Sequence, residues 1–69
     1  MIRGNVIKLL RTWKELTQEE VAEKLGISQP AYSKIEKCKY VKERKLEKIL
    51  QAMNCTHKDL VTFKGSSVR

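Results

Sequence analysis

Gln29, Ser33 and Lys34 are the side chains of this 69-residue chain whose types and spacing suggest chemistry. On a helix they share the outer side, so an amide, a hydroxyl and an ammonium project together. An amide both accepts and donates, as the major-groove edge of adenine requires at N6 and N7. An ammonium donates to guanine O6 or N7, and a hydroxyl bonds either way. The segment that follows is basic. Lys37 to Lys48 holds six cations (Lys37, Lys39, Lys42, Arg44, Lys45, Lys48) against two Glu, a net of +4 in a chain of net +7. Such a cluster suits contacts with phosphate, while the plain alternative for any one lysine is a solvated surface.

The elements that must position these groups are two short helices within Thr17 to Lys37. Thr17 is an N-cap, Glu20 three residues later completes a capping box, and Leu16 with Val21 forms a hydrophobic staple. Gly26 suits the left-handed residue that ends a helix. Ser28 caps the next helix, and Pro30 falls in its first turn, where a missing amide costs little. Val21, Ala22 and Leu25 make one apolar face, Tyr32 and Ile35 the other, with Ile27 as a wedge in the turn. This division, one face for the core and one for a groove of DNA, is the pattern of a helix-turn-helix.

The flanking sequence supplies further helices. Ile2, Val6, Ile7, Leu9, Leu10 and Trp13 predict a first helix from near Ile2 or Asn5 to about Lys14. Trp13, at the edge of that stripe, is expected to pack, for instance against the C-terminal segment, with a dimer contact as the alternative. Leu46, Ile49, Leu50 and Met53 predict a helix from Glu43 to Met53, stopped by a left-handed Asn54. Thr56 and Asp59 resemble another capping box, stapled by Cys55 and Leu60, and open a fifth helix from about His57 to Phe63. A chain of this length buries only about 60% of its unfolded surface, so capping matters to its stability.

The run Leu-Thr-Gln-Glu-Glu-Val-Ala-Glu-Lys-Leu-Gly-Ile-Ser-Gln (16–29), followed by Ser-Lys-Ile-Glu (33–36), strongly resembles the phage-repressor and Cro-like (XRE-type) helix-turn-helix DNA-binding family, with similarity from about Gly4 to Leu60. The resemblance implies an all-α fold, a compact bundle of five short helices like the lambda-repressor DNA-binding domain, over residues 1–64. The helix-turn-helix spans 17–37, and a flexible tail follows at 65–69. It implies that Gln29, Pro30, Ser33 and Lys34 face the bases, Pro30 offering only an apolar surface, and that Tyr32 belongs to the core. Apart from the resemblance, Gln18 at the start of the second helix and the cations Lys39, Lys42 and Arg44 are expected to contact phosphate, Arg44 being also a candidate for the minor groove. Arg11 is similar to the arginine that pairs with the glutamate at Glu36. Glycine is common in the family at the position of Glu15, so this loop is either left-handed or extended here. Cys38 likewise stands where Ile-Glu-x-Gly is usual.

One such domain covers a short half-site, so a homodimer on a palindrome is expected, with Leu60, Val61 and Phe63 as candidate dimer surface. The expected function is transcriptional regulation, as a repressor, by binding double-stranded DNA. A rival is an antitoxin-like or adaptor module whose main partner is a protein. The residues offer no catalytic constellation: His57 is alone, and there is no glycine-rich phosphate loop. Two Cys and one His are too few for a zinc site, so no metal or cofactor is expected. Cys38, in its basic loop, is a conceivable redox thiol, and Cys55 a small hydrophobe. With no apolar run of membrane-spanning length and no secretory signal, a cytoplasmic protein of bacterial or phage type is expected.

Overall fold

A computed structural model describes residues 2–61. Phe63 and the proposed tail at 65–69 lie outside the described residues. The order is α1 (Gly4–Trp13), α2 (Gln18–Leu25), α3 (Gln29–Lys37) and α4 (Glu43–Ala52), followed by helical residues 57–61, here α5. The five-helix all-α expectation holds. Helix α3 packs against both α1 and α2, and α4 closes over α2. No described helix is long and apolar enough to cross a membrane.

Three of the helix ends share one device. After α1, α2 and α4 a single residue turns left-handed: Glu15 (φ 57°), Gly26 (φ 73°) and Asn54 (φ 56°). In each case the next amide reaches back five residues, Leu16 to Arg11 O, Ile27 to Ala22 O and Cys55 to Leu50 O, at 2.8–3.1 Å. This is the six-residue closure of a Schellman motif, which satisfies an orphan carbonyl as the chain reverses. Glu15 thus takes the conformation that suits glycine, at roughly 1 kcal/mol for a residue with a Cβ. The start of α2 is a complete capping box: the Thr17 hydroxyl accepts from the Glu20 amide at 3.1 Å, and the Glu20 carboxylate from the Thr17 amide at 2.9 Å. Thr56 and Asp59 repeat that exchange at α5.

Helix α1 agrees with its expected span to within a residue, but Ile2 is not part of it. It starts at Gly4, and Ile2 pairs instead with Val41 in an isolated antiparallel bridge. Gly4 then lies against the end of α3, where its amide donates to Cys38 O at 3.0 Å. A Cβ at Gly4 would fall 2.3–2.8 Å from the backbone oxygens of Ile35, Glu36 and Cys38. Cys38 itself is extended (φ −66°, ψ 144°), so α3 ends without the left-handed turn that would call for glycine. Of the expected α1 stripe, Ile7 and Leu10 are buried, whereas Leu9 and Trp13 are exposed. Leu9 lies two residues from Ile7, about 200° around the helix, and so points outward. The Lys14 ammonium sits over the Trp13 ring, 5.4 Å from its centroid. Part of the C-terminal segment expected to cover Trp13 lies outside the described residues.

The core contains Tyr32, Leu46, Ile49, Met53 and Cys55, together with Leu60. Leu60 is therefore corrected from dimer surface to core. Its capping box turns it inward as the partner of Cys55, and only Val61 of that trio is seen exposed. Ile27 is also corrected: it stays partly exposed, because the closure at Gly26 leaves it on the rim between α2 and α3.

One ion pair crosses the core edge. Arg11 Nε donates to Glu36 Oε2 at 2.6 Å and Arg11 Nη2 to Oε1 at 3.4 Å, with the two side chains 14% and 3% exposed. Arg11 Nη1 also donates to Leu16 O at 2.8 Å. Burial pushes the Glu36 carboxyl up, yet the hydrogen bonds it receives hold it below its usual range. Hydrogen bonds from Thr17 lower Glu20 in the same way. Burial raises the Cys55 thiol and, more strongly, the Tyr32 phenol. The Tyr32 hydroxyl lies beside the Arg11–Glu36 pair but has no partner of good hydrogen-bond geometry.

This packing can be tested at Gly4 and by titration. Gly4→Ala gains about 1 kcal/mol of helix propensity but forces a methyl into three rigid carbonyls. Overpacking of this kind costs about 1–3 kcal/mol or more, so the variant should melt lower by several degrees in circular dichroism. Glu15→Gly should be neutral or melt slightly higher; a Gly4→Ala variant as stable as the parent would refute the close approach. The titration concerns pH-dependent stability. Glu36 and Glu20 have depressed folded pKa values, so their stabilisation is present above about pH 4.5 and is lost as pH falls through the folded values. Cys55 and Tyr32 have raised values, so stability is whole below about pH 9 and declines as pH climbs past their unfolded values. Urea midpoints between pH 3 and 11 should trace both limbs, and Tyr32→Phe should shrink the alkaline one.

Candidate nucleic-acid interface

Helix α3 is built so that its two sides differ. Ser28 caps it by accepting from the Ala31 amide at 3.3 Å, and Pro30 occupies the first turn, where no intrahelical donor is needed. Tyr32, Ile35 and Glu36 turn inward, which leaves Pro30, Lys34 and Lys37 exposed and Gln29 and Ser33 half-buried at the flank. The four residues expected to face bases thus share one outward sector of the helix. Tyr32 is in the core, as expected.

Gln29 is held from behind. Its Nε2 donates to Gln18 Oε1 at 2.6 Å, and Gln18 Nε2 donates to Glu36 Oε1 at 2.8 Å. Sequence reasoning anticipated the ion pair and treated both glutamines as free ligand-facing groups. The structure instead ties Gln18 to its neighbours and leaves for a phosphate only its remaining N–H and the first amides of α2. The available signal was positional: Gln18 and Gln29 each open a helix, and the packing of α2 against α3 brings those first turns together. Arg11, Thr17, Gln18, Glu19 and Gln29 border the shallow depression at this corner. Glu19 there opposes a phosphate that the helix start attracts.

The positive charge lies on α4 and the loop before it. Lys39, Lys42 and Arg44 are exposed, as the expected phosphate contacts require. Among the described residues, a groove of about 370 Å³ is lined by Lys42, Arg44, Lys45 and Lys48, none of them acidic. Lys45 and Lys48 were visible only as part of a basic run; α4 adds the register, since Leu46, Ile49 and Leu50 turn inward and leave these lysines outside. Lys39 is not part of this groove. A second groove, about 310 Å³, runs between Leu25, Ile27, Ala31, Ile35 and Ile49 and is rimmed by Lys45 and Lys48. Cys38 is exposed and Cys55 buried. Among the described residues no group of three or more His, Cys, Asp or Glu could hold a metal ion.

Comparison with known proteins agrees with this geometry. The family model described as Helix-turn-helix matches residues 7–60, most of the chain. No curated protein matches it in sequence. Among solved structures, the crystal structure of the clp gene regulator ClgR from C. glutamicum superposes with a TM-score of 0.78, covering 96% of this chain and 87% of that one. The two sequences are 24% identical, so this likeness speaks for the fold. Capped α2, exposed α3, the turn at Gly26 and the match over residues 7–60 together place the chain in the XRE-type helix-turn-helix family of DNA-binding transcription regulators.

Proposed function

We propose that the protein is a sequence-specific repressor that binds a palindromic operator as a homodimer, one α3 helix per half-site in the major groove. The observation that carries this reading is the outward sector of α3, Gln29, Pro30, Ser33 and Lys34, on a helix whose Ala31 and Ile35 line a groove rimmed by Lys45 and Lys48 of the basic α4. Gln29 pairs with adenine, Lys34 with guanine, Ser33 bonds either way, and Pro30 touches a thymine methyl. Lys39, Lys42 and Arg44, with Gln18 across the helix, contact the phosphate backbone and set register. Of the dimer surface, Val61 remains exposed and Phe63 lies outside the described residues. Two-fold symmetry is argued from the shortness of a single half-site. A cytoplasmic setting of bacterial or phage type accompanies this role.

The apolar groove between Leu25, Ile27, Ala31 and Ile49 favours a second reading, an antitoxin-like or adaptor module whose main partner is a protein. The two are separated by selecting bound duplexes from a random pool and measuring affinity for the selected site at two salt concentrations. Operator binding predicts a palindromic site and a log–log salt slope of about −0.9 per phosphate neutralised. Lys42→Ala and Arg44→Ala should each flatten that slope by about one and weaken all sequences alike. Gln29→Ala should lose about 1–3 kcal/mol of discrimination at one base position, with stability lowered only by one hydrogen bond, about 1 kcal/mol. Recovery of no common sequence would remove the operator reading.

A further inference from the structure

We propose that the buried carboxylate of Glu36 is a specificity-determining positioning residue, which orients the Gln29 amide through Gln18 without touching a base. The inference rests on the DNA reading above and names what sets its selectivity.

Donor and acceptor identity fixes the order of the three side chains. An ionised carboxylate accepts and cannot donate. The two Glu36 oxygens are met by Arg11 Nε at 2.6 Å, Arg11 Nη2 at 3.4 Å and Gln18 Nε2 at 2.8 Å. Gln18 must therefore turn its NH2 toward Glu36. Its other end is then an oxygen, and that oxygen lies 2.6 Å from Gln29. Only a donor can sit there, so Gln29 must offer its NH2 to Gln18. The Gln29 carbonyl and its second N–H are left for a base, in one fixed order.

An unrestrained glutamine flips freely about its last bond, and at a given spot it accepts or donates equally well. Such a reader adapts to more than one base edge. Here, flipping Gln18 would set its oxygen against the carboxylate, and flipping Gln29 would set oxygen against oxygen. Each flip forfeits a hydrogen bond and leaves a partly buried group unsatisfied. The polarity begins at Glu36 because that group, 3% exposed and bound to Arg11, is the member with no choice. Glu36 lies seven residues after Gln29, two turns along α3, so its effect on the reading end passes through Gln18.

Glu36→Gln tests the idea, because the new amide keeps the shape and can present either end to Gln18. The ratio of affinities for the selected site and for the same site changed at the Gln29 base position is measured in one preparation. This ratio is insensitive to the fraction folded. It should fall about tenfold, with the ratios at other positions and the salt slope unchanged. Gln18→Leu keeps the Arg11–Glu36 pair, cuts the relay, and should lower the same ratio at the same position, which guards against misfolding of the Glu36→Gln variant. In the free proteins, the side-chain NH2 resonances of Gln29 should shift on Glu36→Gln although the two residues do not touch. Retention of the parent ratio by both variants, or a Gln29 NH2 signal indifferent to both, overturns the inference and leaves operator reading intact. A parent protein with no base preference at any position overturns both.

Discussion

Three helices meet at one carboxylate. Glu36 of α3 takes hydrogen bonds from Arg11 of α1 and Gln18 of α2, and it is buried where those helices converge. Burying a charge is unfavourable in itself, and the pair offsets that cost only while its geometry is maintained. Loss of either partner strands the other, an effect of about 3–5 kcal/mol for a fully buried pair and less for this partly exposed arginine. In a domain whose whole stability is of the order of 5–15 kcal/mol, that is enough to make the relative placement of α1, α2 and α3 all but obligatory. The same bond set therefore supports the fold and braces α3 from behind.

The remaining architecture brings α1 and α2 to that point. Left-handed closures at Glu15 and Gly26 reverse the chain after α1 and α2, and each ties up an otherwise orphaned carbonyl. Gly4 lets the start of α1 touch the last turn of α3, and the bridge from Ile2 to Val41 pins the loop beyond it. A short chain has few apolar contacts, so much of its definition comes from helix ends. The loop carrying Lys39 and Lys42 is consequently anchored at Cys38 by Gly4 and at Val41 by Ile2, with its lysines outside.

Charge follows the same division. Glu19 and Glu20 lie in the first turn of α2, where they favour the helix dipole. The cations gather on α4 and the loop before it, and Lys45 and Lys48 rim the groove that Ala31 and Ile35 of α3 line. A duplex approaching α3 would meet attraction chiefly from the α4 side. At the α2 corner it would find backbone amides and an amide side chain, with Glu19 working against a phosphate.

Much of this was legible in local sequence. Capping boxes, the left-handed stops at Gly26 and Asn54, the two faces of α3 and the basic run each depend on residues within one or two turns, and periodicity or side-chain chemistry reveals them directly. The Arg11–Glu36 pair was approached through family likeness. What tertiary structure alone decided spans greater separations. It set the left-handed state of Glu15, the need for glycine at Gly4, the inward turn of Leu60, the outward turn of Leu9 and the partial exposure of Ile27. It also joined Gln18 to Gln29 and Glu36. A linear pattern states which groups can donate or accept, but which of them meet depends on the angle between helices, and that angle is set by packing across the whole core.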